Sequence, residues 1–252
     1  MSSISSELDE TNFSGIVRLF PLPNLVLFPG VIQPLHIFEP RYRQMVQDAI
    51  AADSLIAVAL LRDSVNSILP QSISSESENT ISPESSLLLG PPIHEYICIG
   101  KVVSHVELED GRYNLLLQGI NRARINRELP AEVPYRLADV ELIDEPVISP
   151  EQLVHMRTEL LCNYRRMVEV KQFGEDSISQ LIEQDLSLGT MIDLMAFSLE
   201  LDPLVQQKIL ATVHVERRGS LLLHEIQQQL SQVPLSGNKH VEGPFPPKFS
   251  FN

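Results

Sequence analysis

Residues 18–45 read RLFPLPNLVLFPGVIQPLHIFEPRYRQM. The stretch is dense in apolar residues yet interrupted by Pro21, Pro23, Pro29, Pro34 and Pro40. Proline lacks a backbone donor, so it sits at strand edges, strand starts, turns or the first turn of a helix. Five prolines at short intervals therefore predict short strands joined by fixed corners, then a helix opening at Pro40. From residue 39 to 51, Tyr42, Met45, Val46, Ala49 and Ile50 follow helical spacing and form one apolar stripe.

Working outward, residues 15–20 and 31–38 read as strands, the second near a sheet edge because of Pro34. Residues 54–61, SLIAVALL, form a continuous apolar run of strand length and predict a central strand. Residues 71–86 then hold seven serines, three acids and no base. Residues 62–92 are expected to form a flexible surface insertion.

Strand character returns at residues 97–108, with Gly100 marking a bend or bulge. Glu109-Asp110-Gly111 has hairpin chemistry. Residues 113–118, 120–127 and 137–143 are read as three further strands; the last alternates Ala138, Val140 and Leu142 with Asp139 and Glu141. Short strands with tight turns point to a closed or nearly closed barrel.

The period becomes helical from Ser149-Pro150-Glu151-Gln152, a capping signature. Leu153, Met156, Leu160 and Tyr164 make its apolar stripe. Further helices are expected from Asp176 or Ser177, from Thr190, from Asp202-Pro203 and over residues 215–230. The expected plan is α+β. Residues 1–14 are a disordered start, 15–146 a β domain with one helix packed on it, 147–232 a helical bundle and 233–252 an extended tail rich in proline and glycine.

The chain has 252 residues, 43% hydrophobic and 21% charged, with a formal net charge of −14. That composition is globular and its length supports a substantial core. The acidic balance disfavours nucleic acid and anionic membrane surfaces as partners. No signal-peptide pattern opens the chain and no apolar run is long enough to span a bilayer, so a cytoplasmic location is expected. Cys98 and Cys162 stand far apart in no motif and are expected to be reduced, buried thiols.

Several stretches resemble the N-terminal, substrate-binding domain of Lon protease. LFPLPNLVLFPG and PLHIFEPRY at residues 19–42 carry the resemblance most strongly. IGKVV at 99–103, the hairpin DGRYNLLLQGINRARI at 110–125 and residues 135–143 follow in order. Asp202-Pro203 with Gln206, Lys208 and Leu210, then Glu216-Arg217-Arg218, resembles the closing helices. The resemblance implies a twisted β pseudo-barrel of PUA-like type followed by a helical bundle. It also implies a non-catalytic module that engages polypeptides. Two departures stand out: the long serine-rich insertion, and Gly219 at a position that looks more leucine-like in the family and weakens a helix.

The machinery of a complete Lon enzyme has no counterpart. The Gly-Lys pair at 100–101 is followed by Val102, and Glu95 stands where a phosphate loop needs glycine. No nucleophile elbow occurs, and the seven histidines form no zinc pattern. No catalytic, cofactor-binding or metal-binding residue is assigned, and no cofactor is expected.

His36 reads as a structurally hydrogen-bonded ring near the core. Glu39 and Arg41 read as a helix-start pair. Arg112, Arg122, Arg124, Arg127 and Arg136 gather on neighbouring strands, but residues 101–145 hold six bases against nine acids. Solvated strand faces paired with Glu107, Glu128 and Glu132 account for them, and Tyr113 and Tyr135 are too few for a nucleotide-stacking platform. The expected partner is an unfolded or partner polypeptide, bound on exposed apolar surface of the barrel or in the cleft between barrel and bundle. The alternative is a scaffold or regulatory subunit that binds one folded partner, such as a protease. Binding residues and oligomeric state are not legible.

Overall fold

A computed structural model describes residues 13–62, 90–130, 132–145, 150–171, 186–199 and 201–232. Its strands are β1 (Ile16–Leu22), β2 (Ile32–Ile37), β3 (Leu55–Leu60), β4 (Tyr96–Glu107), β5 (Tyr113–Leu129) and β6 (Arg136–Ile143). Helix α1 (Pro40–Ala51) precedes β3. Helices α2 (Pro150–Lys171), α3 (Leu188–Ser198), α4 (Pro203–Ala211) and α5 (Val215–Gln232) follow the strands. The class is α+β. The expected disordered start, most of the serine-rich insertion, the helix from Asp176 or Ser177 and the tail lie outside the described residues.

The strands form one mixed sheet in the order β2-β5-β4-β3-β1-β6, and β6 also pairs with β5. That last pairing turns five strands into a ring. Only β1 and β3 run parallel; β2 adds to the first half of β5, outside the ring, as an edge strand. Pro34 sits where the sequence placed it, on that edge.

The ring interior is small and apolar. Val17, Leu19, Leu55, Ala57, Ala59, Ile97, Ile99, Ala123, Ala138 and Val140 fill it. Four alanines at these positions let five strands close around so little space. Strand β3 is buried along its whole length, as its unbroken apolar run required. Its odd residues face the ring, while Ile56, Val58 and Leu60 join the outer core with Tyr42, Met45, Val46 and Ala49 of α1.

One expectation fails in β5. The stretch reads as two strands split near Gly119, but it is one bent strand of 17 residues. Gly119 gives the reason. Its amide donates to Val31 O, its carbonyl accepts from Gly30, and a Cβ there would run into the Phe28 carbonyl. Glycine thus lets the 25–31 loop lie on the strand without ending it. Gly100 marks a register shift in β4, as expected.

Strand β3 and the segment before β4 are drawn together beyond the sheet proper. Leu61 bridges Ile93, Arg62 N donates to Pro92 O and His94 N donates to Leu60 O. These bonds form a narrow neck at the base of the insertion.

The later helices pack on one another and on the ring. Helix α3 is apolar nearly all round and lies at their centre; Ser187 caps it, three residues before the Thr190 start that was expected. Asp202 caps α4 by accepting from Leu204 N at 2.8 Å. Helix α4 meets β4, where Gln207 donates to Tyr96 O. Helices α2 and α5 pack along each other, and Gly219 explains how. A Cβ there would meet Met156 Sδ, so the glycine that weakens α5 leaves room for the Met156 side chain between the two helices. No described helix is long and apolar enough to cross a membrane.

Candidate functional site

An open groove of about 1010 Å³ lies beside the start of α1. Its floor is built from the proline-rich opening segment: Phe20 and Leu22 of β1, Leu35 and Ile37 of β2, and Tyr42 of α1. The far wall is the β5–β6 turn, with Leu129, Val133 and Tyr135. Pro21, Pro23, Pro91, Pro130 and Pro134 line it as well. Phe38 stands at its mouth and is 61% exposed. A large aromatic side chain left in water beside an apolar groove costs solvation free energy that an occupant would recover.

The wall is tied down by polar contacts. Tyr135 donates to Asp48 Oδ2 of α1 at 2.6 Å. Burial, then the hydrogen bond and charge of Asp48, push the Tyr135 phenol up to about 12. Arg136 holds Glu128 with two bonds of 2.7 and 2.5 Å across the turn. On the near side Arg41 pairs with Glu39 at 2.8 Å and lies over the Tyr42 ring at 4.5 Å. This is the helix-start pair the sequence suggested, with Glu39 itself as the carboxylate. The charged groups around the groove are thus paired, and its open chemistry is apolar.

His36 departs from expectation. It is exposed on β2 rather than set near the core. Arg112 can only donate, so His36 Nε2 accepts at 3.2 Å and the proton sits on Nδ1, which donates to Asn114 Oδ1 at 2.7 Å. Its ring stacks beside Phe38, with centroids 6.3 Å apart. Histidine here steadies the aromatic at the groove mouth.

The arginines divide. Arg112 pairs with Asp110, Arg124 with Glu141, Arg127 with Asp139 and Arg136 with Glu128. Of the three acids expected as partners, Glu128 takes that role. Arg122 overturns the reading of solvated faces: it is 4% exposed, at the junction of ring and helices. It donates to Asp193 Oδ1 of α3 at 2.5 Å and to Leu210 O of α4 at 3.1 Å. Arg218 of α5 is fully buried beside it, bound to Glu145 and 3.4 Å from Asp193 without hydrogen-bond geometry. Two cations meet two carboxylates. Burial pulls the Arg122 guanidinium down, but Asp193 and Glu145 more than compensate and hold it above its ordinary value. This cluster lies at the junction of the ring with α3 and α5.

The thiols also divide. Cys98 is buried, and burial drives its pKa far up, against the nearby Arg122 charge; Cys162 is exposed on α2, contrary to expectation. Both are free. Among the described residues no group of histidine, cysteine and carboxylate side chains has metal-holding geometry.

A second apolar surface lies on the outer sheet face. Ile32 of β2, Leu116 of β5 and Val103 and Val106 of β4 are all exposed there. Ser104 and Pro34 pair across Leu116 on either side.

The fold is that of Lon N-terminal domains. It matches the N-terminal domain of the Mycobacterium avium complex Lon protease with a TM-score of 0.62 at 16% identity, over 84% of this chain and 98% of that one. It also matches a Lon N-terminal domain protein from Xanthomonas campestris with a TM-score of 0.53 at 21% identity, over 87% and 99%. The family model "ATP-dependent protease La (LON) substrate-binding domain" covers residues 16–228, and the chain belongs to that family. Among curated relatives, the Lon protease of Dictyoglomus thermophilum is 24% identical over 89% of this chain and 26% of its own length. Lon protease 2 of Herpetosiphon aurantiacus is 26% identical over 90% and 26%. The chain therefore spans about a quarter of the length of these relatives.

Proposed function

We propose that this chain is a non-catalytic polypeptide-recognition module and that the groove between β1, β2, α1 and the β5–β6 turn receives unfolded segments of protein. The observation that carries the reading is Phe38, an aromatic held in water at the mouth of an apolar groove. Family membership supports it, since the matched region is a substrate-binding domain. The groove offers no nucleophile with an adjacent base, and its carboxylates are occupied by arginines. The same reading takes the strand ring as a PUA-like pseudo-barrel domain, residues 15–146, and the later helices as a bundle, residues 147–232. It makes protein, rather than nucleic acid or membrane, the partner, as a net charge of −14 favours, and takes the cytoplasm as the setting.

A photo-crosslinker placed at position 38 tests this. Capture of a denatured model protein in preference to its native form is the expected result. Equal capture of both forms, or of neither, overturns it.

A second reading has its own observation. The sheet face bearing Ile32, Val103, Val106 and Leu116 is broad and apolar and suits one folded partner, as a scaffold or regulatory subunit would need. Pull-down with the wild-type chain and with Leu116→Asp separates the two. One stoichiometric partner lost in the variant supports the scaffold; a spread of clients unaffected by it supports recognition in the groove.

A further inference from the structure

We infer that the groove takes its polypeptide as a short amphipathic helix, by its apolar face, rather than as an added strand. This rests on the groove being the recognition site. It is drawn from how little backbone the groove offers.

An extended peptide bound to a sheet gains affinity from main-chain hydrogen bonds to a free strand edge. Strand β2 borders the groove and has that edge, but cannot use it. Gly119 N donates to Val31 O, which sets the bonded positions of β2 at Val31 and every second residue after it. Ile32, Pro34 and His36 therefore turn their main chain to the free edge. Pro34 is the middle one and has no N–H to give. The row of donors is broken at its centre.

The other walls repeat the pattern. Five prolines line the groove, and Leu22 O, at the end of β1, already accepts from Leu61 N. A strand laid here would leave its own N–H and C=O groups desolvated and unpaired, which costs free energy at every second residue. A helix satisfies its backbone internally and asks only for side-chain contact.

Size and aromatic exposure agree. A helix is about 10 Å across, and the groove, at about 1010 Å³, has room for one face of a short helix. Polyproline segments, the other class with a self-sufficient backbone, dock on ridges of exposed aromatics. Here Phe20, Tyr42 and Tyr135 are buried, and the exposed rings are Phe38 and the His36 stacked beside it, which together make one small platform. One such platform suits a single contact with an apolar helix face.

The test uses the full chain and three labelled peptides read by fluorescence anisotropy. The first is a side-chain-stapled helix with leucine at i, i+3 and i+7. The second is the unstapled sequence with a central proline, and the third is polyproline. The stapled helix should bind about tenfold more tightly than either of the others. Phe38→Ala should lose about that tenfold advantage, the usual effect of removing a central aromatic anchor. Leu116→Ala, on the outer sheet face, should lose none. Equal affinity for the three peptides overturns the inference, as does tight helix binding that ignores Phe38. The two claims fail separately. If the crosslinker at position 38 still captures denatured protein while the stapled helix does not bind, only the helix is wrong. If neither binds, the groove itself is not the site.

Discussion

The junction between ring and helices and the groove beside α1 answer the same problem in opposite ways. Each is a place where the strand ring meets something beyond itself. At the junction, Arg122, Arg218, Asp193 and Glu145 are brought together and helices close over them. In the groove the charges are paired at the margins and the apolar middle is left open. A buried charge needs its partners in place, so removing any one of the four leaves the others uncompensated. An apolar surface makes no such demand and accepts many shapes. The difference separates a part whose groups are already satisfied by one another from a part whose apolar surface is left open.

Mutation should break the comparison first at the junction. Asp193→Ala removes the carboxylate facing two buried guanidinium groups. It should cost about 3–5 kcal/mol of stability, measured by urea unfolding, because an uncompensated buried charge remains. A loss under about 1 kcal/mol, the range of exposed ion pairs, would place these groups in water instead.

The helix seam comes next. Gly219→Leu restores the residue type expected in a helix yet should destabilise by about 1–3 kcal/mol, since the side chain must displace Met156. Stabilisation in a thermal melt would mean that α2 and α5 separate easily.

At the groove the expected pattern reverses. Phe38→Ala should leave the unfolding free energy within about 0.5 kcal/mol, as for other exposed positions. Capture of denatured protein should nevertheless fall markedly. A variant that unfolds early would make Phe38 part of the core.

The smallest effect is a titration. Tyr135 is raised to about 12 by burial and Asp48. The folded chain thus keeps a proton that the unfolded chain loses near pH 10. Its contribution to stability is complete below pH 10 and is lost as pH climbs towards 12. Tyr135→Phe should flatten that part of the stability curve. Absorbance of ionised phenol should show one late-titrating tyrosine fewer.

The sequence made much of the ring legible because strands and turns leave local marks. Pro34 signalled an edge, the run at 54–61 signalled burial on both faces, and Asp110-Gly111 signalled the turn. The groove's floor was legible as elements but not as a surface, because exposure of Phe38 depends on what fails to cover it. Arg122 shows the same limit from the other side. It shares a strand face with Arg124, two residues on, and alternation cannot distinguish them. Only the later helices decide, by covering the first and leaving the second in solvent. Gly119 misled for a related reason: a glycine that ends a strand and one that admits a crossing loop look identical along the chain. The signal that could have found Arg122 was the single buried acid of an otherwise apolar helix, Asp193, which requires a cation opposite.

The neck formed by Leu61, Arg62, Pro92, Ile93 and His94 has a practical consequence. Because those bonds fix both stems, doubling the length of what joins them adds only about 0.6 kcal/mol of closure entropy. The site is a ready attachment point for a fluorophore, an affinity handle or a whole reporter protein. Its stem residues Leu61 and Pro91 line the groove, so a reporter grafted there would start from the groove's edge.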